Sequence, residues 1–240
     1  MKAIAIIPAR IGSIRLPRKI LREIAGQSML QRVYQAAKNS KLLQDVIVAT
    51  DSEEIMAMCE RHGWRAQITS GQHKSGTDRV HEVAQKLEAD VFVNVQGDEP
   101  LARAEHIDAL LKPMADAHVM VSTVMTPCPK HDVANPNAVK VVTDSNGRAL
   151  YFSRATIPFD RDNRKEHPYM KHLGFYAYRR SALDRFCNLP ESALEKSERL
   201  EQLRFLENGI DIYVQETQYD TIGVDTEEDL RRVESILLKK

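Results

Sequence analysis

The first half of the chain alternates short, continuous apolar runs with segments of helical periodicity, and this alternation restricts the possible folds more than any other feature. The runs are "AIAII" (3–7), "DVIVAT" (45–50), "RAQIT" (65–69) and "DVFVNVQ" (90–96). Continuous apolar runs are typical of parallel strands that helices cover on both faces. Helices are predicted at 28–37, from a capping box of Asp51 with Glu54 to Gly63, and at 77–87. This order predicts an α/β fold with a doubly wound, mostly parallel sheet and right-handed crossovers.

The second half has a more mixed pattern. Strands are predicted at 118–125, 138–144, 149–154 and 172–180, with a turn at "DSNG" (144–147), and helices at 181–188, 194–207 and 226–238. The polar segment 160–170 contains proline and predicts a mobile surface loop, our first candidate for a loop that closes over substrate. We expect one domain over 1–240 that carries a smaller β-rich insertion at roughly 127–180.

Composition excludes several classes of protein. Lys plus Arg and Asp plus Glu both number 34, so the formal net charge is zero, which argues against bulk binding to nucleic acid or to a membrane surface. The first apolar run is too short for a signal peptide, and no run is long enough to span a membrane. The three cysteines, Cys59, Cys128 and Cys187, are widely spaced and indicate thiols in a reducing compartment. We therefore expect a cytoplasmic protein.

A cluster of cations follows the first predicted strand. It consists of Arg10, Arg15, Arg18 and Lys19, with Gly12 and Ser13 among them. Ligands of parallel sheets bind at the carboxyl ends of the strands, which is where this loop lies. Its spacing matches neither the P-loop nor the dinucleotide-binding motif. Backbone amides and arginine forks suit a polyphosphate, and the alternative is a solvated basic turn.

"VNVQGDEPL" (93–101) places Asp98 just past the fourth predicted strand, after a glycine that lets the chain turn. A carboxylate there faces the same edge of the sheet as the cationic loop, where Mg²⁺ would need oxygen ligands. The alternative is a turn aspartate before Glu99 and Pro100.

Asp225, in "IGVDTEEDL" (222–230), precedes a predicted helix. It either caps that helix together with Glu228, or it is free because Thr226 with Asp229 provides a competing cap. In the second case Asp98 and Asp225 form a pair that could hold Mg²⁺ against bound phosphates.

"SGTDR" (75–79) lies at the start of a predicted helix. Its exposed N–H groups, the Thr77 hydroxyl and Arg79 are suited to reading a nucleobase edge or an anion. The alternative is a helix cap in which Ser75 pairs with Asp78.

Taken together, these motifs resemble those of the 3-deoxy-manno-octulosonate cytidylyltransferases, or CMP-Kdo synthetases, over essentially the whole chain. The matching stretches are "IPAR.GS.RLP.K" (7–19), "VATDSEEI" (48–55), "SGTDRV" (75–80), "VNVQGDEPL" (93–101), "ALYFSRATIPFDRD" (149–162), "KHLGFYAYRR" (171–180), "LEKSERLEQLRFLENGI" (194–210) and "GVDTEEDL" (223–230). The last four separate this family from the broader sugar nucleotidyltransferases.

The resemblance implies a nucleotide-diphospho-sugar transferase-like fold and a reaction of CTP with the acid sugar Kdo that gives CMP-Kdo and pyrophosphate for lipopolysaccharide synthesis. It also implies a homodimer, with the β-rich insertion contributing to the interface. By motif, the triphosphate would be held by Arg10, Ser13, Arg15 and Lys19, the cytidine by Ser75 and Arg79, and Mg²⁺ by Asp98 and Asp225. Lys19, Asp98 and Asp225 would be the catalytic residues, and the sugar would contact Arg154, His172, Tyr176, Glu201 and Gln202.

The sugar-site residues each have an alternative role. His172 and Tyr176 share one face of a predicted strand and are alternatively core or interface residues. Glu201 and Gln202 alternatively belong to the solvated face of a helix with a leucine stripe. Arg154 alternatively pairs with an aspartate of the following loop, although an arginine fork suits a sugar carboxylate.

The chain departs from the family in the cationic loop. The family commonly has tyrosine and a hydroxyl where Ile11 and Ile14 stand, and glycine and proline where Arg18 and Ile20 stand. Two alternatives to Kdo activation therefore remain: the same chemistry on 8-amino-Kdo or a nine-carbon acid sugar, and a catalytically silent paralogue that binds nucleotide or sugar. An NAD-binding domain would need a glycine fingerprint, which the loop lacks.

Overall fold

The computed structural model describes residues 1–162, 164 and 168–239. The strands are β1 (Ala3–Ala9), β2 (Glu23–Ile24), β3 (Gln27–Ser28), β4 (Asp45–Thr50), β5 (Arg65–Ile68), β6 (Val91–Asn94), β7 (Val121–Pro127), β8 (Lys140–Thr143), β9 (Ala149–Ser153), β10 (Met170–Arg179) and β11 (Ile212–Glu216). The α-helices are α1 (Met29–Lys38), α2 (Glu53–Arg61), α3 (Gly76–Ala84), α4 (Ala104–Leu111), α5 (Arg180–Asn188), α6 (Ala193–Glu198), α7 (Leu203–Glu207) and α8 (Glu227–Leu237).

The chain divides into two compact units. The first consists of Met1–Asp108 with Thr221–Lys240, and the second of Ala109–Asp220. The predicted β-rich insertion at 127–180 lies inside the second unit. The predicted mobile loop at 160–170 lies partly outside the described residues, which omit 163 and 165–167.

The first unit contains a parallel sheet with the strand order β6-β1-β4-β5. Every residue of β1 is buried, because α1 packs against β1 and β4, while α3 packs against β1, β4 and β6. Helix α2 covers β4 and β5. The apolar runs of the first half thus form parallel strands covered by helices, as predicted.

The strand order reverses between β1 and β6. The chain runs from β1 outward to β4 and β5, and then returns to the other side of β1 as β6. In such sheets, ligands bind at the carboxyl ends of the strands where the order reverses. Ile6 pairs with Asn94, so the segments that follow β1 and β6 leave the sheet at the same edge.

The second unit is a mixed sheet. Strand β7 pairs antiparallel with β10 and parallel with β11, and β8 forms a hairpin with β9 and also pairs with β10. The predicted turn at 144–147 is present, with Gly147 in the left-handed region at φ 78°. Strand β11 was not predicted, although the buried Ile212 and Val214 alternate with more exposed residues as a half-buried strand requires. Helix α4 was not predicted either.

Two sequence predictions about helices are wrong. The predicted helix at 194–207 is interrupted after α6, because Arg199 adopts the left-handed conformation at φ 55°. The predicted capping box of Asp51 with Glu54 does not form, since Ser52 is the N-cap residue of α2 and makes no side-chain cap bond. Asp51 and Glu54 instead bind distant arginines, so long-range ion pairs override the local capping pattern.

An apolar cluster joins the cationic loop to the last helix of the first unit. Its buried members are Leu16, Ile24, Met29, Val224, Leu230 and Val233, and Leu101, Ile222 and Leu237 pack against them. The cluster places Leu16, in the loop after β1, against residues that surround the start of α8. It is therefore the apolar support of the cationic loop.

We expect Leu16→Ala to lower the free energy of unfolding by about 2–5 kcal/mol, because it leaves a cavity around a side chain that is 1 % exposed. Urea unfolding followed by circular dichroism measures this loss. The matched control is Leu42→Ala, whose side chain is 51 % exposed and should change the stability by no more than about 0.5 kcal/mol. Equal losses in the two variants would contradict the assignment of Leu16 to the core.

Candidate active site

Two carboxylates that are distant in the chain converge on Lys19. Its ammonium nitrogen lies 2.7 Å from Asp98 Oδ2 and 2.9 Å from Asp225 Oδ1. Arg15 lies 2.9 Å from the other carboxylate oxygen of Asp225. Lys19, the last cation of the cationic loop, is also the first residue of a short 3₁₀ helix, Lys19–Leu21. The predicted meeting of the loop with both acids at one edge of the sheet is therefore present.

The charges of this cluster stabilise one another. Burial lowers the pKa of Lys19, but the charges of Asp98 and Asp225 and their hydrogen bonds to Lys19 outweigh burial and hold the pKa above its ordinary value. Burial likewise raises the pKa of Asp225, but Lys19 and then Arg15 outweigh it and hold that pKa below its ordinary value. Lys19 is therefore cationic and Asp225 ionised at neutral pH.

Asp225 does not cap α8. The Thr226 hydroxyl accepts a hydrogen bond from the Asp229 N–H at 3.2 Å, and the Asp229 carboxylate accepts one from the Thr226 N–H at 2.9 Å. This capping box begins one residue after Asp225, as the second sequence alternative predicts. The Asp225 carboxylate is thereby left to pair with the cations of the loop.

Asp98 reaches Lys19 because the preceding residue is glycine. A Cβ atom at Gly97 would lie 2.8 Å from the Pro8 carbonyl oxygen and 2.8 Å from Ile20 Cδ1. Any side chain would collide with the end of β1, so the chain passes there only as glycine. After the turn, the Asp98 carbonyl accepts a hydrogen bond from the Val224 N–H at 2.9 Å, which ties this segment to the one that carries Asp225.

The remaining residues of the cationic loop are more exposed. Arg10 is exposed at the end of β1, and Arg15 keeps 66 % of its side chain exposed despite its ion pair with Asp225. The Ser13 hydroxyl accepts a long hydrogen bond, 3.4 Å, from the Leu16 N–H. Arg10, Ser13 and Arg15 thus line an accessible loop beside the Lys19 cluster.

Arg18 adopts the left-handed conformation, with φ 56° and ψ 31°. Glycine takes this conformation freely, whereas other residues adopt it at a cost of about 1–2 kcal/mol. The guanidinium of Arg18 forms an ion pair with Glu54 at the start of α2. The loop therefore keeps a glycine-like backbone at a position where an arginine stands.

Arg79 is an interior residue. It is 3 % exposed, and its guanidinium donates to Thr69 Oγ1 and, at 2.8 Å, to Asp51 Oδ2. The other oxygen of Asp51 accepts a hydrogen bond from the Ile11 N–H at 3.3 Å. Arg79 and Asp51 thus connect α3 to the cationic loop, and Asp51 is a site-supporting residue that the sequence pattern assigned to a helix cap.

Ser75 is the N-cap residue of α3. Its hydroxyl accepts a hydrogen bond from the Asp78 N–H, and the Asp78 carboxylate accepts one from the Ser75 N–H, both at 3.2 Å. The helix start packs closely on the sheet, since a Cβ atom at Gly76 would lie 3.1 Å from the Gln96 amide. The capping alternative is confirmed for Ser75, and its role toward cytidine stays a prediction.

In the second unit, His172 and Tyr176 lie on β10 with their ring centroids 5.4 Å apart. A β-bulge interrupts the strand between Leu173 and Tyr176. His172 Nε2 lies 3.0 Å from the Thr123 hydroxyl, and burial lowers the pKa of His172 to about 3, so the imidazole is neutral at physiological pH. Burial also raises the pKa of Tyr176 and outweighs the nearby Thr123 hydroxyl, which lowers it; the buried Tyr176 hydroxyl makes no hydrogen bond of ordinary geometry among the described residues.

Glu201 and Gln202 lie in the connection between α6 and α7. Glu201 is half-buried, while Gln202 is buried and its amide nitrogen has no hydrogen-bond partner in the described part of the chain. Gln202 therefore does not belong to a solvated helix face. An unpaired buried polar group costs about 1–3 kcal/mol, and native proteins leave few of them.

Arg154 donates to carbonyl oxygens rather than to an aspartate. The acceptors are the carbonyls of Glu198 at 2.7 Å, Pro136 at 3.0 Å and Arg199 at 3.3 Å. The Glu198 carboxylate accepts from the Ser153 hydroxyl at 2.6 Å and from the Arg154 N–H at 2.9 Å. This network satisfies the carbonyls at the end of α6, and no local sequence signal identifies Glu198 as part of it.

Comparison with known proteins identifies the family. A cytidylyltransferase family model matches residues 4–212. The 3-deoxy-manno-octulosonate cytidylyltransferase of Koribacter versatilis is 73% identical, over 99% of this chain and 90% of that protein, and the one of Acidobacterium capsulatum is 58% identical, over 100% and 98%. The chain belongs to the 3-deoxy-manno-octulosonate cytidylyltransferase family. It is therefore a nucleotidyltransferase, as the resemblance of its motifs predicts.

A solved structure supports the fold of this cytidylyltransferase. The structure of CMP:2-keto-3-deoxy-manno-octonic acid synthetase complexed with CTP matches with a TM-score of 0.95 and 42% identity, over 100% of this chain and 99% of that one. The predicted α/β fold with a mostly parallel sheet is thereby confirmed. Among the described residues, no helix of this cytidylyltransferase has the length and apolar character needed to cross a membrane.

The donor set of the cytidylyltransferase fits Mg²⁺ only in part. In the described ranges, no group of three or more His, Cys, Asp or Glu side chains is arranged to hold a metal ion. Asp98 and Asp225 nevertheless bring carboxylate oxygens to one point, and Mg²⁺ is usually held by one or two carboxylates together with substrate phosphates. The two residues therefore fit an ion that arrives with a nucleotide.

We expect Arg18→Gly to be more stable than Arg18→Ala by about 1 kcal/mol, because alanine keeps the left-handed strain that glycine removes and both lose the pair with Glu54. Urea unfolding compares the two variants. At Arg231, an exposed residue in the interior of α8, the same two substitutions should give the opposite order, since glycine costs about 1 kcal/mol relative to alanine in a helix interior. If Arg18→Ala were as stable as Arg18→Gly or more stable, the backbone at position 18 would not be strained.

We expect Lys19→Met to unfold in acid at a higher pH than the wild type. The lowered pKa of Asp225 contributes stability that is present above the ordinary carboxyl pKa and lost as the pH falls through the lower folded value. Without the ammonium the pKa of Asp225 rises, so this contribution is lost at a higher pH. The raised pKa of Lys19 acts at the alkaline end, where its contribution is lost as the pH rises through the folded value.

Circular dichroism during a pH titration measures the acid midpoint. Lys41→Met, at an exposed lysine of the same unit, is the control and should keep the wild-type midpoint. A Lys19→Met protein with the midpoint of the control would show that the ammonium does not hold Asp225 ionised.

Proposed function

We propose that this cytidylyltransferase transfers the CMP group of CTP to the anomeric hydroxyl of Kdo, with release of pyrophosphate, for lipopolysaccharide synthesis. The observation that carries the proposal is the convergence of Asp98 and Asp225 on the Lys19 ammonium, at 2.7 Å and 2.9 Å. The names of the relatives and the CTP complex of the matching synthetase support the choice of substrates. The convergence of these charges gives no support to a catalytically silent paralogue.

The first unit supplies the nucleotide-binding residues of this proposal. The triphosphate binds to Arg10, Arg15, Lys19 and the Ser13 hydroxyl. The three cations neutralise its negative charge as pyrophosphate leaves. The start of α3, which Ser75 caps, places the cytidine at the positive end of the helix. Arg79 contributes from the interior, since its pair with Asp51 holds the Ile11 amide of the loop.

The reaction needs no protein nucleophile, because the sugar hydroxyl attacks the α-phosphorus directly. We propose that Asp98 and Asp225 hold Mg²⁺, which when bound activates the attacking oxygen and shields the charge on the phosphates. Lys19 lies between both carboxylates before the nucleotide arrives and holds the pKa of Asp225 below its ordinary value. Alignment of the two substrates and neutralisation of charge then account for catalysis.

The second unit supplies the sugar-binding residues. The unpaired Tyr176 hydroxyl and Gln202 amide are partners for sugar hydroxyls, since a bound sugar would satisfy both buried groups. The neutral imidazole of His172 and the side chain of Glu201 complete this set of sugar-binding residues. Three of the five N–H groups of the Arg154 guanidinium donate to carbonyl oxygens. We propose that the N–H groups left unassigned among the described residues donate to the sugar carboxylate.

We further propose that the enzyme acts as a homodimer in the cytoplasm, as the resemblance to its family implies. Pyrophosphate release tests the activity directly, with CTP, UTP or dTTP against Kdo, 8-amino-Kdo and a nine-carbon acid sugar. We expect the highest rate with CTP and Kdo. A higher rate with another acid sugar would show that this sugar is the substrate of the same reaction. If no pair of nucleotide and sugar released pyrophosphate, the proposed function would be refuted.

We expect Asp98→Asn to reduce kcat on the order of 10³-fold or more, because the amide removes a charged oxygen ligand while it keeps the size of the side chain. The measurement is Mg²⁺-dependent pyrophosphate release at saturating CTP and Kdo. Asp90→Asn is the control, since Asp90 is an exposed acid that precedes β6 and accepts a hydrogen bond from the Lys2 N–H. Turnover of Asp98→Asn close to that of the control would remove Asp98 from the catalytic set.

A further inference from the structure

Three contacts join the segment that carries Asp98 to the segment that leads to Asp225. The Thr221 hydroxyl donates to Glu99 Oε2, and the Val224 N–H donates to the Asp98 carbonyl oxygen at 2.9 Å. Between these bonds, a Cβ atom at Gly223 would lie 3.2 Å from Glu99 Oε1. The two segments are thus in close contact over residues 98–99 and 221–224.

The contact begins at a buried point. Thr221 is 2 % exposed, so its hydrogen bond to the Glu99 carboxylate is shielded from water. Beyond Thr221, Val224 is anchored in the apolar cluster, and Thr226 begins the capping box of α8. The backbone that carries Asp225 is therefore fixed on both sides of the carboxylate.

We infer that Glu99 and Thr221 are positioning residues that set the spacing of Asp98 and Asp225 for a divalent cation bound together with a nucleoside triphosphate. The inference rests on the proposed function. Glu99 acts through the backbone, since its carboxylate oxygens face Thr221 and Gly223 while the neighbouring Asp98 carboxylate faces Lys19. A small displacement of either segment changes the separation of the two metal-binding oxygens.

Ligand spacing decides affinity because Mg²⁺ demands near-ideal octahedral geometry. Loss of a hydrogen bond that orients metal ligands typically weakens metal affinity or activity by about 10–100-fold. Glu99 and Thr221 are one step further from the ion than such partners, so we expect the lower end of this range. An effect on the cation, rather than on CTP alone, distinguishes positioning of the carboxylates from a general loss of the fold.

The experiment is a titration of the protein with Mn²⁺ in the presence of CTP, in which electron paramagnetic resonance measures free Mn²⁺. Thr221→Val keeps the size of the side chain and removes the hydroxyl, and we expect it to weaken Mn²⁺ binding about tenfold. Thr221→Ser restores the hydroxyl and should stay within about threefold of the wild type. The kcat of Thr221→Val at saturating Mn²⁺ should recover toward the wild-type value.

Thr217→Val is the matched control, because Thr217 is a similarly buried threonine that belongs to the second unit. If Thr221→Val binds Mn²⁺ as the wild type or as Thr217→Val does, the positioning role is overturned and the proposed function stands. A wild-type protein that binds no Mn²⁺ in the presence of CTP and releases no pyrophosphate would overturn the proposed function itself.

Gly223→Ala provides a second variant in case circular dichroism shows that Thr221→Val does not fold. Its added methyl would press on Glu99 Oε1 and displace it by a few tenths of an ångström. We expect the same weakening of Mn²⁺ binding, about tenfold, and wild-type affinity in this variant would also overturn the positioning role.

Discussion

The Lys19 ammonium is the interaction on which the candidate site depends. Two carboxylates that face one point repel each other unless a cation lies between them. Lys19 supplies that cation within 2.9 Å of both Asp98 and Asp225, and Arg15 adds a second to Asp225. Both acids therefore lie against one cation before any substrate binds. A site formed in advance loses less free energy in ordering when the nucleotide arrives.

Apolar packing, rather than charge, brings these residues together. Leu16 lies shortly before Lys19 in the chain, and Val224 directly precedes Asp225. Both Lys19 and Asp225 therefore follow a side chain of the same apolar cluster. Burial of that cluster supplies the free energy that places the loop against α8. The parallel sheet supplies the rest of the geometry, since β1 and β6 leave it at one edge, on either side of the point where the strand order reverses.

The elements that could be predicted from the sequence are those whose cause is local. Buried parallel strands must be continuously apolar, and the capping boxes at Ser75 and Thr226 need only neighbouring residues. The wrong predictions have distant causes. Asp51 fits a helix cap but binds Arg79, and the predicted helix at 194–207 is interrupted where Arg154 donates to its carbonyl oxygens. The unpaired Tyr176 and Gln202 groups become visible only once burial is known.

The unusual residues of the cationic loop are explained by what the backbone does there. Ile11 donates its backbone N–H to Asp51, and any residue except proline has this donor. Ile14 is fully exposed, so its side chain is not needed for packing. Arg18 reproduces the backbone conformation of a glycine, and Ile20 packs over Gly97, where the chain turns toward Asp98. These substitutions change side chains while the path of the loop and the cations beside it are kept. The nucleotide chemistry of the loop depends on that path, and the departures from the family pattern are therefore compatible with it.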